Sequence, residues 1–180
     1  GYPDLPGMSR MIAIPQGSRV TYRIVSQRTE VIKDVLIAPA PRIPKDTEVG
    51  PLQYNKNTSV YSKNAYYPDK QFLLSEISNI RGVDYVVLGI TPFQYNPQTK
   101  ELIVYRDMQI EVNFIGGNGH FGNDVYRSRW FDPILEDAFY NNASLPKIDY
   151  GKRNLEWDKL DAYGYEYIII CPNVPEFLQW

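Results

Sequence analysis

The sequence predicts a mainly β fold, built from many short strands, on three observations. Among its 180 residues there are 15 tyrosines and 14 prolines. Tyrosine favours strands, whereas proline ends helices and lies at strand ends and in turns. Several segments also alternate apolar and polar residues with the period of two that is typical of a half-buried strand. With 43% hydrophobic and 22% charged residues, the composition is that of a globular protein.

Two strands are predicted in the N-terminal part of the chain. In residues 20–25, Val20, Tyr22 and Ile24 alternate with the other three residues and predict the first. Residues 31–38 are β-branched, become apolar towards their end and predict a second strand, which stops at Pro39. The segment that follows the next loop is polar and weakly patterned, and only Val60 and Tyr61 are suited to anchor a strand there.

A hairpin is predicted in the middle of the chain. Residues 83–90 predict one strand and residues 102–105 predict its partner. The connection contains Asn96 and Pro97, which fit a type I turn because the proline ring presets φ near the required value. Residues 108–114 then alternate most regularly of all, so one face of that strand must be buried and the other solvated.

The pattern changes towards the C-terminus. Residues 133–141 predict a short helix, because Asp132 can cap it and Pro133 suits the first helical position. A polar linker is predicted at residues 142–164. Residues 165–180 contain a continuously apolar strand and the start of a helix, which cannot bury their faces alone. We therefore expect the natural polypeptide to continue into an α/β domain.

The composition argues against several classes of function. A net charge of −2 is unsuited to a protein that neutralises nucleic-acid phosphates over a large surface. No apolar run approaches the ~20 residues of a membrane helix. Cys171 and His120 are the only cysteine and histidine, which excludes an intramolecular disulfide and a zinc site built from such ligands. Because Cys171 lies in an apolar run, a catalytic pair is disfavoured. We expect no catalytic residue, metal or cofactor in this chain.

A long loop between the second strand and the polar segment carries the best functional candidate. Residues 39–51 contain four prolines and no periodicity. They include Arg42 and Lys45. A basic side chain on a stiff, extended loop suits a protease specificity pocket with a carboxylate at its base, because prolines reduce the entropy lost on docking. The alternative interpretation is that these are ordinary solvated loop charges.

The sequence resembles the N-terminal propeptides of gingipain-type cysteine endopeptidases, which are caspase-like proteases. The resemblance runs along the whole chain and depends on motifs in the family order. These are residues 1–6 (Gly-Tyr-Pro-Asp-Leu-Pro), 33–39 (Lys-Asp-Val-Leu-Ile-Ala-Pro), 67–68 (Tyr-Pro), 81–83 (Arg-Gly-Val) and 92–100 (Pro-Phe-Gln-Tyr-Asn-Pro-Gln-Thr-Lys). Residues 124–140 correspond to the short helix near the end of the propeptide, and residues 167–180 resemble the opening of the catalytic domain.

The resemblance implies a fold and a division of the chain. Residues 1–141 would form an antiparallel, jelly-roll-like β-sandwich propeptide that ends in a short helix. Residues 142–164 would be the linker that is cut on activation. Residues 165–180 would be the first strand and helix start of the peptidase domain, whose catalytic cysteine and histidine lie beyond Trp180.

The resemblance also implies a function and its residues. Such propeptides assist folding of the peptidase and block its active site in cis until they are removed. The basic side chain that would enter the specificity pocket is Arg42 or Lys45. Activation cleavage would fall at Lys152 or Arg153, with Lys147 as the second candidate. Export by a cleaved leader, to the cell surface or the medium, follows from the family as well.

Two other functions fit the residues. The Tyr66-Tyr67 pair could form a stacking platform for sugar in a carbohydrate-binding β-sandwich module, although tyrosine also packs commonly in strands. A cell-surface structural domain without a partner protease is the third hypothesis.

Overall fold

Two antiparallel sheets form the body of the protein in a computed structural model that describes residues 1–150. In chain order the strands are β1 (Met8–Ala13), β2 (Ser18–Ile32), β3 (Phe72–Leu74), β4 (Ser78–Ile80), β5 (Val83–Ile90), β6 (Phe93–Asn96) and β7 (Glu101–Gly116). One sheet has the order β1-β5-β3, with β4 also paired to β5, and the other has the order β2-β7-β6. The helices are α1 (Thr58–Tyr61) and α2 (Asp132–Ala138), with 3-10 turns at Asp124–Tyr126 and Asn142–Ser144.

The main core lies between the two sheets. Residues of β1, β3 and β5, together with the residue that follows β1, are buried in it, namely Ile12, Ile14, Phe72, Val86 and Leu88. The other sheet covers them with alternate residues of β2 and β7, namely Val20, Tyr22, Met108, Ile110, Val112 and Phe114. The predicted alternation of residues 108–114 is therefore confirmed, and so is the antiparallel β-sandwich.

A second, smaller core lies on the outer face of the β1-β5 sheet. Ala13 and Val83 face outwards from the sheet, and α2 with the segment after it covers them with Leu135, Phe139 and Leu145. Burial on both faces explains why β5 is apolar almost throughout. The prediction of a strand at residues 83–90 is confirmed to the residue.

The C-terminal helix differs in detail from its prediction. It runs over Asp132–Ala138, and Asp132 lies in its first turn instead of capping it from outside. The carboxylate of Asp132 binds the guanidinium of Arg127, with Nε–Oδ1 and Nη2–Oδ2 distances of 2.6 and 2.9 Å. Because the Asp132 carboxylate binds the buried Arg127, it does not cap the helix.

One compact unit spans residues 1–146 and includes the start of the predicted linker. The side chain of Asn141 accepts a hydrogen bond from the amide of Ala13 and donates one to its carbonyl, at 2.8 and 2.9 Å. Leu145 is only 6% exposed. These contacts attach the start of the predicted linker to the sandwich. The remainder of the linker from residue 151, and the predicted strand and helix start at 165–180, lie outside the described residues.

Two local predictions were wrong. The strand predicted at residues 31–38 is the end of β2, which stops at Ile32, and Asp34 then has a φ of 58° that breaks the extended backbone. The segment with Val60 and Tyr61 forms α1 instead of a strand, because the side chain of Asn57 caps it by accepting from the amide of Ser59 at 2.9 Å. Side-chain capping outweighed weak strand propensity there.

A third prediction, the hairpin between residues 83–90 and 102–105, was wrong in its first strand, because residues 102–105 of β7 pair with β6 and β5 belongs to the other sheet. Phe93 pairs with Val104 and Asn96 pairs with Glu101. The side chain of Asn96 accepts from the amide of Gln98 at 3.0 Å, which is the local hydrogen bond that favours asparagine at the start of such a turn.

Candidate functional site

The predicted loop lies on the surface and presents apolar as well as basic side chains. In the structure the loop extends over residues 39–53, of which 41–53 contain no helix or strand. Ile43 is 89% exposed and Val49 is fully exposed, with Leu52 also largely open to solvent. A group of exposed apolar side chains beside charged ones is typical of a surface that meets another protein.

Arg42 is held within the loop. Its guanidinium pairs with the carboxylate of Glu48, and both side chains are largely open to solvent. Its amide also donates to the carbonyl of Gln53 at 3.0 Å, and this hydrogen bond joins the two sides of the loop. Arg42, Glu48 and Gln53, together with Pro44 and Pro51, line a surface cavity with a volume of about 360 Å³. Sequence reasoning singled out Arg42 but missed Glu48 and Gln53, since no local pattern identifies partners across a loop.

Lys45 lies at the turn of the same loop. Its carbonyl accepts from the amide of Glu48 at 2.9 Å, which closes a tight turn over residues 45–48. The ammonium group is exposed and makes no ion pair with any carboxylate of residues 1–150. The structure thus brings both candidate side chains to one loop, and among the residues it describes Arg42 has an ion-pair partner and Lys45 has none.

The segments at the two ends of the loop, residues 35–40 and 54–57, are here called its incoming and outgoing arms. Both are attached to the N-terminal residues. Tyr2 accepts a hydrogen bond at its carbonyl from the amide of Ala40 (2.7 Å), and the amide of Asp4 donates to the carbonyl of Ala38 (2.9 Å). On the other arm, the amide of Asn57 donates to the carbonyl of Gly1 at 2.8 Å. The motif at residues 1–6 therefore lies beside the loop, a proximity that the sequence did not predict.

Two tyrosine hydroxyls bind the backbone of the incoming arm of the loop. The hydroxyl of Tyr61 donates to the carbonyl of Ile37 and that of Tyr95 donates to the carbonyl of Val35, both at 3.1 Å. Burial raises the pKa of Tyr61, and smaller contributions come from Tyr95 and then from a nearby carboxylate. The neutral phenol of Tyr61 is therefore favoured, which keeps it available as a donor.

Tyr66 and Tyr67 make internal contacts instead of forming an open platform. The hydroxyl of Tyr66 donates to the carboxylate of Glu101 at 2.9 Å, and this hydrogen bond is the main reason that the pKa of Tyr66 is raised. The ring of Tyr67 stacks on that of Tyr2, with centroids 5.2 Å apart and planes inclined by 11°. Burial raises the pKa of Tyr67, with a lesser effect of Tyr2. The two rings pack within the protein in the manner common for strand tyrosines.

Of the three predicted processing residues, Lys147 is described. It is exposed and directly follows Pro146, whose carbonyl accepts from Nη2 of Arg127 at 3.4 Å. The side chain of Arg127 is only 2% exposed. The residues that precede Lys147 are thus held to the sandwich. Lys152 and Arg153 lie outside the described residues.

The Propeptide_C25 family model matches residues 1–126. The chain belongs to the C25 propeptide family. Gingipain R1 of Porphyromonas gingivalis is 32% identical over 116 residues, 63% of this chain, and gingipain R2 is 30% identical over 147 residues, 78% of this chain. The chain spans 11% and 20%, respectively, of those relatives' lengths, so it corresponds to a part of them.

Solved structures agree with this membership. A complex of the P. gingivalis RgpB pro- and mature domains matches this C25 propeptide with a TM-score of 0.65 and 28% identity, covering 79% of this chain and 73% of that one. A structure concerned with the zymogenic latency of gingipain K matches with a TM-score of 0.55 and 24% identity, and supports the fold. The predicted resemblance to gingipain propeptides is confirmed.

The described helices are all short. Among residues 1–150, none has the length and apolar composition needed to cross a membrane.

Proposed function

We propose that this C25 propeptide blocks the active site of a cysteine endopeptidase domain that follows it in its own precursor. The loop at residues 39–53 would lie in the substrate cleft and place Arg42 or Lys45 in the specificity pocket. The observation that carries this proposal is the exposed loop itself, in which two basic side chains lie among exposed apolar ones. In the related RgpB structure a prodomain is found in complex with its mature domain.

The shape of the loop supports this assignment. Prolines at positions 41, 44 and 51 limit the conformations of the free loop, so less entropy is lost when it docks. The backbone hydrogen bond from Arg42 to Gln53 joins the two sides of the loop. Exposed apolar side chains such as Ile43 would then supply buried contact area around the basic group.

The proposal is tested by inhibition of the mature peptidase of the same precursor by the 180-residue chain added in trans. Replacing both Arg42 and Lys45 by alanine should raise the inhibition constant about 30- to 900-fold, the effect of about 2–4 kcal/mol expected for an interface hot spot. The single variants Arg42→Ala and Lys45→Ala then identify the residue that enters the pocket.

The matched control is the double variant Lys63→Ala/Lys70→Ala, which removes two exposed positive charges outside the loop. It should inhibit like the parent, because distant surface charges contribute little to a docked contact. Parental inhibition by the Arg42/Lys45 variant would refute the assignment of the loop.

We also propose three further properties of the precursor. The sandwich would assist folding of the peptidase, since residues 1–146 have cores of their own and can provide a preformed surface; the peptidase should then refold in higher yield with the chain than without it. Cleavage at Lys152 or Arg153, with Lys147 second, would release the propeptide. The precursor would be exported by a leader that is removed, to the cell surface or the medium.

A further inference from the structure

We propose that residues 1–4, here called the N-terminal clamp, are positioning residues for the loop at residues 39–53. The inference rests on the inhibitory role proposed above for that loop. The clamp would hold both arms of the loop in the docking geometry before the peptidase is met, so that binding costs less conformational entropy.

The clamp contacts both arms at once. On the incoming arm, the amide of Ala40 donates to the carbonyl of Tyr2 at 2.7 Å and the amide of Asp4 donates to the carbonyl of Ala38 at 2.9 Å. On the outgoing arm, the amide of Asn57 donates to the carbonyl of Gly1 at 2.8 Å. Four consecutive residues therefore bridge segments that lie on either side of the loop.

The approach of the clamp to the incoming arm is close. A Cβ at position 1 would overlap the carbonyl oxygen of Ala40. Pro3 is buried and forms a β-bridge with Pro39, which is the first residue of the loop. The clamp is thus packed against the arm instead of lying loosely over it.

The clamp is in turn anchored to the sandwich through Tyr2. Its ring stacks on Tyr67 with a centroid separation of 5.2 Å. Tyr67 exchanges two backbone hydrogen bonds with Tyr95, of 2.9 and 2.8 Å, and Tyr95 is only 2% exposed. The contact chain from the core to the loop therefore passes through Tyr95, Tyr67 and Tyr2 to Ala40.

The loop has few restraints of its own beyond its arms. One backbone hydrogen bond, from Arg42 to Gln53, joins its two sides, and the Arg42–Glu48 pair is largely exposed to solvent. Exposed ion pairs contribute little to holding a backbone. The direction in which the loop leaves the body is consequently set at its arms, where the clamp lies.

The first experiment measures local opening of the loop with trypsin and needs no peptidase partner. In the 180-residue chain, mass spectrometry would follow cleavage after Arg42 and Lys45, with cleavage after the exposed Arg129 as an internal reference. Tyr2→Ala should increase the loop cleavage rate about two- to tenfold, the factor that corresponds to the typical energy of an aromatic pair. A chain that begins at Leu5 should show a larger increase.

Controls separate positioning from general stability. Tyr2→Phe retains the stacked ring and should be cleaved like the parent, and so should Tyr140→Ala, which removes a 75% exposed tyrosine elsewhere. Parental loop cleavage in both Tyr2→Ala and the truncated chain would overturn the inference. Equal acceleration at the loop and at Arg129 would overturn it as well, because it would mean that the whole domain had been loosened.

The second experiment is a double-mutant cycle on inhibition of the mature peptidase. Tyr2→Ala should weaken inhibition about two- to tenfold in the parent but leave it unchanged when Arg42 and Lys45 are already alanine. An equal effect of Tyr2→Ala in both backgrounds would overturn the positioning role. If the Arg42/Lys45 variant itself inhibits like the parent, the inhibitory role of the loop fails, while the trypsin rates still decide whether the clamp positions it.

Discussion

At the scale of single residues, tyrosine has two kinds of role in this protein. Tyr61 and Tyr95 use their hydroxyls to bind the backbone of the segment that leads into the loop. Tyr2 and Tyr67 use the faces of their rings. The abundance of tyrosine predicted a β protein correctly, but it did not distinguish strand packing from support of a loop. That distinction depends on which backbone carbonyl lies opposite each hydroxyl.

The partly buried phenols of Tyr61 and Tyr67 make the stability of the protein fall at alkaline pH. The pKa values of Tyr61 and Tyr67 are raised above the ordinary value of 10, mainly by burial. The contribution of these phenols to stability is therefore fully present below pH 10. It is lost as the pH rises from 10 through the folded-state pKa, because the unfolded phenols ionise first.

We expect Tyr61→Phe to reduce this loss. At pH 8 the variant should be less stable by about 1 kcal/mol, because the hydrogen bond to Ile37 is gone. Between pH 8 and pH 10.5 it should lose less stability than the parent, as measured by urea unfolding at both pH values. Tyr140→Phe, at an exposed position, is the control and should follow the parent. An unchanged pH dependence in Tyr61→Phe would contradict the assignment.

At the scale of elements, the turn between β4 and β5 shows how backbone conformation selects sequence. Ile80 pairs with Val83, and the two residues between them, Arg81 and Gly82, have φ values of 50° and 78°. Two positive φ angles are those of a type I′ turn, which suits the twist of a hairpin and favours glycine. The neighbouring backbone at Asn123 also approaches Gly82 closely, and its amide donates to the Gly82 carbonyl at 3.0 Å.

Alanine substitution at two glycines separates strain from crowding. A Cβ at Gly82 would lie 2.9 Å from a ring atom of Tyr126 and 3.1 Å from the carbonyl oxygen of Asn123. A Cβ at Gly116, where φ is 76°, would meet nothing within 4 Å. We expect Gly116→Ala to cost about 1 kcal/mol from strain alone and Gly82→Ala about 2–3 kcal/mol. Chemical denaturation measures both, and equal losses would show that the close contacts at Gly82 relax without cost.

At the scale of the whole molecule, the segment after α2 packs against the sandwich as far as Pro146. Arg127 is buried against Asp132 and donates to the Pro146 carbonyl at 3.4 Å. Leu145 is buried beside them. A protease binds its substrate as an extended segment, so cleavage after Lys147 requires these contacts to open. This observation supports placing Lys147 second among the proposed processing residues.

We expect Arg127→Met to expose the bond after Lys147. Removing one partner of a buried pair leaves the Asp132 carboxylate uncompensated, so the variant should lose about 3 kcal/mol of stability. Trypsin should then cut after Lys147 at least several-fold faster than in the parent, as followed by mass spectrometry. Arg129→Met is the matched control, since Arg129 is exposed, and should not change that rate. Parental cleavage of this bond in Arg127→Met would contradict the protective role.

The extent to which the sequence predicted the fold follows from the range of each interaction. Strand β5, the turn after Asn96 and the buried face of β7 were predicted because alternation and turn propensity act within a few residues. The pairing of residues 102–105 with β6 instead of β5 was missed, because it depends on the arrangement of the two sheets. The end of β2 and the helix α1 were missed because they depend on one positive φ at Asp34 and one cap at Asn57. The basic loop was predicted from its prolines, but the partners of Arg42 were not.

Local patterning and motif order were sufficient to identify the β class, the exposed loop and the family. They could not indicate that Asn141 binds Ala13 across 128 positions of sequence, nor that Gly1 and Asn57 hold the base of the loop. Such pairs form only when the sandwich brings distant backbone groups together, and a polar group gains from a particular partner only once water is excluded around it. The periodicity of a sequence carries no information about which distant backbone groups become neighbours. The position of the N-terminal clamp beside the loop was therefore decided by the tertiary structure alone.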